Sequence, residues 1–542
     1  MVCPIAARPA HGGAPVFVAA GLAAGLVVLL TGTADSPERR ASPSSGAVAP
    51  ATGQSLYVQH CAACHGEAGD GNGPAARFLY PRPRNFGEAK FRVASTENSI
   101  PTDDDLMRVI TRGMPGSSMF PFGHLSEAER RNLVAYVRER ITTSFIANVK
   151  RQAAQSGEQV DAAELARDAA EVLKPGGLVA IPTAWPRNDD ASRARGKALY
   201  LKTCAACHGE SGKGDGQQVQ KNLDGTPTAP RDFTRGIFKG GREREQLYIR
   251  IAAGMAGTPM PATEGVPPEQ ICDLVHFVHS LAPPDAQTRV EHRRQSLVAR
   301  RSDVPLGDAI PASAWSAVAP TAIVVSPLWW RNYAEPNLRA QALHDGRVVT
   351  VRLTWRDETR NERIAAPDDF EDMAAVQLFA GAAEPFIGMG AADALTDLWL
   401  WRASWQKPRD FADSILDDYP FESANYRERF QKLGRPLPDF QTARAAGNPH
   451  ARTSNASASQ LAAKGFGSTT FLPRPSQVVA AKSHWSDGVW TVEFRRPLAA
   501  GDGVGLAPGS RCSIAFALWD GAAHDRNGQK LVSIWHDLVL DP

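Results

Sequence analysis

Two five-residue strings carry the densest chemistry in this chain, Cys61-Ala-Ala-Cys64-His65 and Cys204-Ala-Ala-Cys207-His208. Two thiols three residues apart on one helical turn can add across the two vinyl groups of a haem. The histidine that follows then lies beneath the iron and offers it an axial nitrogen. One such string alone could be half of a zinc site. Two copies in matching surroundings point to two covalent haems, attached through Cys61, Cys64, Cys204 and Cys207 and ligated by His65 and His208. The other cysteines, Cys3, Cys272 and Cys512, are too few for a disulfide framework.

The surroundings repeat as well. Each string follows a short helical pattern, Gly53-Gln-Ser-Leu-Tyr57 and Gly196-Lys-Ala-Leu-Tyr200, and precedes a glycine-rich turn. Then come Arg84-Asn-Phe86 and Arg231-Asp-Phe233, and next the loops Arg112-Gly-Met-Pro-Gly-Ser-Ser-Met119 and Ala253-Gly-Met-Ala-Gly-Thr-Pro-Met260. Each copy closes on an amphipathic helix. Ser126 and Glu129 form a capping box for the first, and Leu133, Val134, Val137 and Ile141 mark its apolar face. Ile271, Leu274, Val275 and Val278 mark the second. Both copies resemble the class I cytochrome c family, over residues 52–142 and 190–283. The resemblance implies a second axial ligand from a thioether before the last helix, at Met119 and Met260, with Met114 and Met255 as packing residues. An iron held by both histidine and methionine has no open site for substrate, which favours electron transfer over catalysis at these haems. His60, His276 and His279 read as partly exposed surface groups, and Cys272 as a packed free thiol.

A chain of 542 residues is too long for one core, and a net charge of +2 gives no electrostatic reason to expect nucleic acid. The uncharged apolar run 14–30 reads as an export signal or an N-terminal membrane anchor within residues 1–34, followed by a flexible tether at 35–51. Residues 143–189 read as a helical linker between the repeats, with a helix over 147–173 strapped against the cytochrome domains. Residues 284–312 read as a basic, Pro-rich linker whose arginines, among them Arg293, Arg294, Arg300 and Arg301, lie on a solvated face.

The last third changes character. Apart from Trp185, every tryptophan lies after residue 312. Val349, Val351, Leu353 and Trp355 alternate with Thr350, Arg352 and Thr354; Trp490, Val492 and Phe494 alternate likewise; Ile514, Phe516 and Leu518 make a third run. Asp345-Gly and Asp487-Gly supply turns. These patterns predict an all-β sandwich over 313–542, with 447–475 as a long polar insertion. This region resembles the haem-binding domain of the gamma subunit of ethylbenzene dehydrogenase. The likeness rests on the run from His344 to Asp357, Pro385-Phe-Ile-Gly-Met-Gly390, Leu398-Trp-Leu-Trp-Arg402, Ala463-Lys-Gly-Phe-Gly467, Trp485-Ser-Asp-Gly-Val-Trp490 and Gln529-Lys-Leu-Val-Ser-Ile-Trp535. It implies one non-covalent haem b held between Met389 and Lys530. An amine binds iron only when deprotonated, so Lys530 must be buried enough to lose its proton. The sandwich also resembles family 9 carbohydrate-binding modules, in which Trp329, Trp330 and Trp405 would stack on sugar.

The expectation is a multidomain chain, two all-α cytochrome c domains followed by an all-β sandwich, exported to the periplasm, either free or anchored to the inner membrane. Its expected role is that of a non-catalytic, multihaem electron-transfer subunit with no catalytic residue of its own. The partners implied by the resemblance are the molybdopterin and iron–sulfur subunits of an oxidoreductase, and a soluble or membrane-bound electron carrier. The alternatives are a stand-alone dihaem redox enzyme of the peroxidase or thiosulfate dehydrogenase type, and a cytochrome tethered to polysaccharide by its sandwich.

Overall fold

The structure, a computed structural model, describes residues 51–542 apart from 219, 331–336, 364–367, 382, 392–393, 407–427, 436–456, 466, 474–475 and 500. The segment expected to direct export lies outside the described residues. Among those described, no helix is long and apolar enough to cross a membrane.

The first domain is built on three helices, α1 (Gly53–His60), α2 (Asp103–Arg112) and α3 (Glu127–Ser156). Each starts at a side-chain cap. Thr52 accepts from the Ser55 amide, and the pairs Thr102/Asp105 and Ser126/Glu129 form reciprocal capping boxes. The stripe Leu133, Val134, Val137 and Ile141 is buried against Leu56 and Tyr57 of α1. The crossing of α1 and α3 is close at Gly53, where a Cβ would stand 2.2 Å from the carbonyl oxygen of Asn132. The second domain repeats this plan. Helix α5 (Asp190–Thr203) crosses α7 (Pro268–Ser280) at Gly196, where a Cβ would stand 2.0 Å from the Asp273 carbonyl oxygen. Helix α6 (Arg244–Ala253) corresponds to α2. His276, expected at the surface, is instead buried on α7, its Nδ1 2.8 Å from Ser192 Oγ. Cys272 is fully buried, as expected of a packed thiol.

Between the domains, the helix expected over 147–173 is divided. Helix α3 runs unbroken to Ser156 and stops at Gly157, whose φ of 76° ends it, and α4 (Ala162–Val172) follows. The chain then straps both domains: the Glu97 amide donates to Gly177 O and the Val179 amide to Ser95 O, both at 2.9 Å, and Trp185 packs on Tyr248.

The C-terminal domain is a β-sandwich. Its main strands are β1 (Ser296–Arg301), β2 (Arg339–His344), β3 (Val348–Arg356), β4 (Met373–Phe379), β5 (Thr396–Arg402), β6 (Ala458–Ala463), β7 (Ala480–Ser486), β8 (Val489–Pro497), β9 (Arg511–Trp519), β10 (Leu531–Val532) and β11 (His536–Leu540). The spatial order is β6-β5-β4-β9-β11-β1-β2-β3-β8-β7, with β10 paired to β9. All these pairings are antiparallel except those of β1, which is parallel to both neighbours. The path folds over so that β5 faces β3 and β8 across the core. Trp401 meets Trp355 and Trp490 at centroid distances of 6.0 and 5.0 Å, and Trp399 meets Phe494 at 6.3 Å. The Asp345-Gly and Asp487-Gly turns connect β2 to β3 and β7 to β8.

Two stretches differ from expectation. The basic segment 284–312 supplies β1, a strand inside the sheet, with Leu297 and Ala299 buried. Its arginines are paired within the chain: Arg294 with Glu384 and Asp537, and Arg300 with Asp541. The stretch 447–475, expected as a polar insertion, contains β6, which carries Leu461 and Ala463 into a small apolar cluster.

Candidate haem sites

The attachment strings occupy one tight turn at the end of the first helix of each domain. Cys61 closes α1, its amide donating to Tyr57 O at 2.8 Å, and Ala62–His65 continues as a single turn. The tyrosine before each string locks that turn from below: Tyr57 Oη donates to Gly66 O at 2.8 Å, and Tyr200 Oη to Gly209 O at 2.7 Å. His65 Nδ1 lies 3.1 Å from Arg84 O, and His208 Nδ1 lies 3.2 Å from Arg231 O. A carbonyl only accepts, so each Nδ1 carries the proton and each Nε2 keeps its lone pair for a metal. Phe86 and Phe233 stack on the two imidazoles at 5.0 and 4.4 Å. Burial holds both histidines below their ordinary pKa, which favours the neutral ligand form.

An apolar cavity opens in front of the first string, lined by Cys61, Cys64, His65 and Met119 among others. Thiols, imidazole and thioether thus share one slot whose remaining walls include Leu106, Ile110 and Val137, which fits a flat apolar macrocycle bound through iron and two thioethers. Met114, at the other end of this loop, lines the same cavity. The loop is shaped identically in both domains. Met114 N donates to Met119 O at 2.9 Å, and Met255 N to Met260 O at 3.1 Å. In the second domain Met260 packs against the core that also holds Cys204.

In the sandwich, Met389 sits in the connection between β4 and β5 with φ at 100°, packed against Leu398 and Leu461. Lys530 precedes β10, and its Nζ lies 4.9 Å from the centroid of Trp519. Strand alternation sends Trp399, Trp401, Phe516 and Leu518 into the main core and Leu398 and Trp519 to the opposite face. Met389 and Lys530 therefore both stand on the outward face of β4, β5 and β9. That face carries the small residues Ala375, Ala515 and Ala517, and the buried Nε2 of Gln377 on it has no hydrogen-bond partner among the described residues. Burial lowers Lys530 to about 8, the direction that ligation through a neutral amine requires.

Sequence reading missed the segment that joins the sites. Phe386, three residues before Met389, lines the cavity of the first cytochrome domain. Leu328 accepts from the Tyr80 amide and from Ser118 Oγ, both at 3.0 Å, and donates its own amide to Lys530 O at 2.9 Å. The first cytochrome domain thus rests against both the Met389 loop and the Lys530 segment. Trp329 stacks on Tyr80 of that domain at 5.3 Å, so one of the tryptophans considered for sugar is engaged within the chain.

The family comparisons divide the chain at the same places. The cytochrome c family model matches residues 50–140 and 193–282, and the ethylbenzene dehydrogenase model matches 312–531. This chain joins two cytochrome c domains to a domain of the ethylbenzene dehydrogenase family. Among its relatives, a candidate respiratory nitrate reductase heme subunit from Haloferax mediterranei is 27% identical over 208 residues, 38% of this chain and 56% of that protein. The chlorate reductase gamma subunit of Ideonella dechloratans is 28% identical over 211 residues, 38% of this chain and 65% of that protein. The matches thus span less than two thirds of either relative. A solved reducing HAO-like protein complex from Kuenenia stuttgartiensis contains a chain 32% identical to this one, covering 43% of this chain and 96% of that one, at a TM-score of 0.36. The cytochrome c domains support haem c as a cofactor of this dihaem fusion.

Proposed function

We propose that this chain is the electron-transfer subunit of an exported molybdenum oxidoreductase, passing electrons between one haem b in the sandwich and two covalent haems c. Cys61, Cys64, Cys204 and Cys207 would attach the haems c, with His65 and Met119 holding one iron and His208 and Met260 the other; Met389 and Lys530 would hold the haem b. Its partners are a molybdopterin subunit with an iron–sulfur subunit on one side and a soluble or membrane-bound carrier on the other. The haems supply one-electron chemistry. The protein's part is to fix histidine tautomers, keep Lys530 neutral and exclude water.

The observation that carries this reading is the seating of the first cytochrome domain. Phe386 and the Leu328 backbone connect its cavity and its Met119 loop to the two segments that bear Met389 and Lys530. An enzyme acting at a haem would need an open iron, and a sugar-binding face would not need the cytochrome packed beside Lys530. The test is purification of the full tagged chain from its own host, followed by metal analysis. Molybdenum and non-haem iron should accompany the haem iron in fixed proportion. Recovery of haem iron alone, from cells grown with ample molybdate, would overturn the assignment.

A further inference from the structure

The two cytochrome domains meet through their cation-bearing loops. Arg84 and Arg92 follow the first attachment string, and Arg231 and Lys239 occupy the equivalent places after the second, each arginine two residues before a phenylalanine and each later cation directly after one. The carbonyls of Arg84 and Arg231 hold the haem-ligating histidines, so these loops border the two haems. Their guanidiniums then cross the domain boundary. Arg231 Nη2 reaches Gly116 O, 3.5 Å away in the Met119 loop, and Arg84 Nη1 reaches the Met260 loop, 3.3 Å from where a Gly257 Cβ would stand. Arg92 Nη2 reaches Asn222 of the second domain at 3.4 Å, and its buried Nε has no hydrogen-bond partner among the described residues. Lys239, from the second domain, lines the haem cavity of the first.

Four cations gathered from two domains repel one another. Burial, and then the charges of Arg231, Arg92 and Arg84, push the Lys239 ammonium well below its ordinary pKa. The neighbouring acids are few: Glu88 lies 3.6 Å from Arg84, Asp224 acts on Arg84 and Arg92, and Asp232 acts on Arg231. Such a cluster calls for additional anions. Each haem brings two carboxylates, on the half of the macrocycle away from the vinyl groups that the cysteines consume.

We propose that Arg84, Arg92, Arg231 and Lys239 form one cradle, shared by both cytochrome domains, that takes the propionates of both covalent haems and holds the two propionate edges facing each other across the domain boundary. Electrons then pass between the haems c without domain motion, and each cation bears on both irons. The inference rests on the covalent haems alone and is independent of the haem b.

The test uses the full haem-loaded chain. In a spectroelectrochemical titration, Lys239→Gln should move both covalent-haem transitions to lower potential, because a cation that opposes the ferric state is lost near each iron. Arg92→Gln, from the other domain, should move both as well, and Lys239→Arg should restore both. The propionate bending modes in resonance Raman spectra should shift in the two Gln variants. If each Gln variant moves only the transition of its own domain, or neither, with the Raman modes unchanged, the shared cradle is wrong.

Discussion

Ser118 donates its hydroxyl to the backbone carbonyl of Leu328 at 3.0 Å, and so ties the residue next to Met119 to the strand edge that holds Lys530. A continuous path of two hydrogen bonds, through Ser118 and the Leu328 backbone, links the main chains that carry the proposed ligands of two different haems. Ser118→Ala should leave haem content and all three spectra intact, and should slow electron exchange between the haem b and the haems c several-fold. Stopped-flow reduction followed at the separate α-bands reads that rate. An unchanged rate would remove Leu328 from the path.

Haem stoichiometry is the most direct check on the cofactors. The chain should keep two haems through denaturing electrophoresis and release one more to acid–acetone. Cys64→Ala and Cys207→Ala should each lose about one covalent equivalent.

The Met-loop geometry leaves Met114 and Met119 both facing the first cavity. Met119→Ala and Met260→Ala should each abolish one near-infrared charge-transfer band of histidine–methionine haem and lower that haem's potential. If Met114→Ala or Met255→Ala does so instead, the ligand lies at the other end of the loop.

Ligation through Lys530, as proposed, gives haem b binding a pH dependence of definite sign. Burial places its apo-protein pKa at about 8, below the ordinary lysine value. Below that pH the ammonium competes with iron, so haem b affinity should rise about tenfold per pH unit up to about 8 and then level off. Haemin titration of the b-depleted chain between pH 6 and 9 measures this. Lys530→Ala should flatten the curve and alter only the b spectrum.

Inside the sandwich, Arg496 and Asp397 form an ion pair at 2.7 Å with essentially no solvent exposure, and Gln460 Nε2 and the Val504 amide complete the carboxylate's shell. Arg496→Met leaves Asp397 charged and uncompensated, which should cost about 3–5 kcal/mol in denaturant unfolding of the sandwich. The covalent haem spectra should be unaffected.

What could be read from the sequence was what local spacing encodes. The attachment strings, the capping box at Ser126 and Glu129 and the alternation around Trp355 and Trp490 depend on neighbours a few residues away, and each appears where expected. Strand β1 did not show, because four of its neighbourhood's residues are arginines and only Leu297 and Ala299 alternate as buried positions. Its partners, β11 and β2, come from distant parts of the chain. The cationic loops left a signal that could have been used: Arg92 and Lys239 hold equivalent places in the repeat. Their convergence is a property of how the domains pack, which no single-chain periodicity records.

Strand β1 also decides how this protein can be cut. It lies between β11 and β2, upstream of the family match that begins at residue 312, while β11 lies beyond its end at 531. A fragment trimmed to the match would lose both strands, leaving β9 and β2 with bare edges in the middle of the sheet, an invitation to pair with other molecules. The sandwich therefore borrows a structural member from the stretch that follows the second cytochrome domain, and the two halves of this chain are not separable goods.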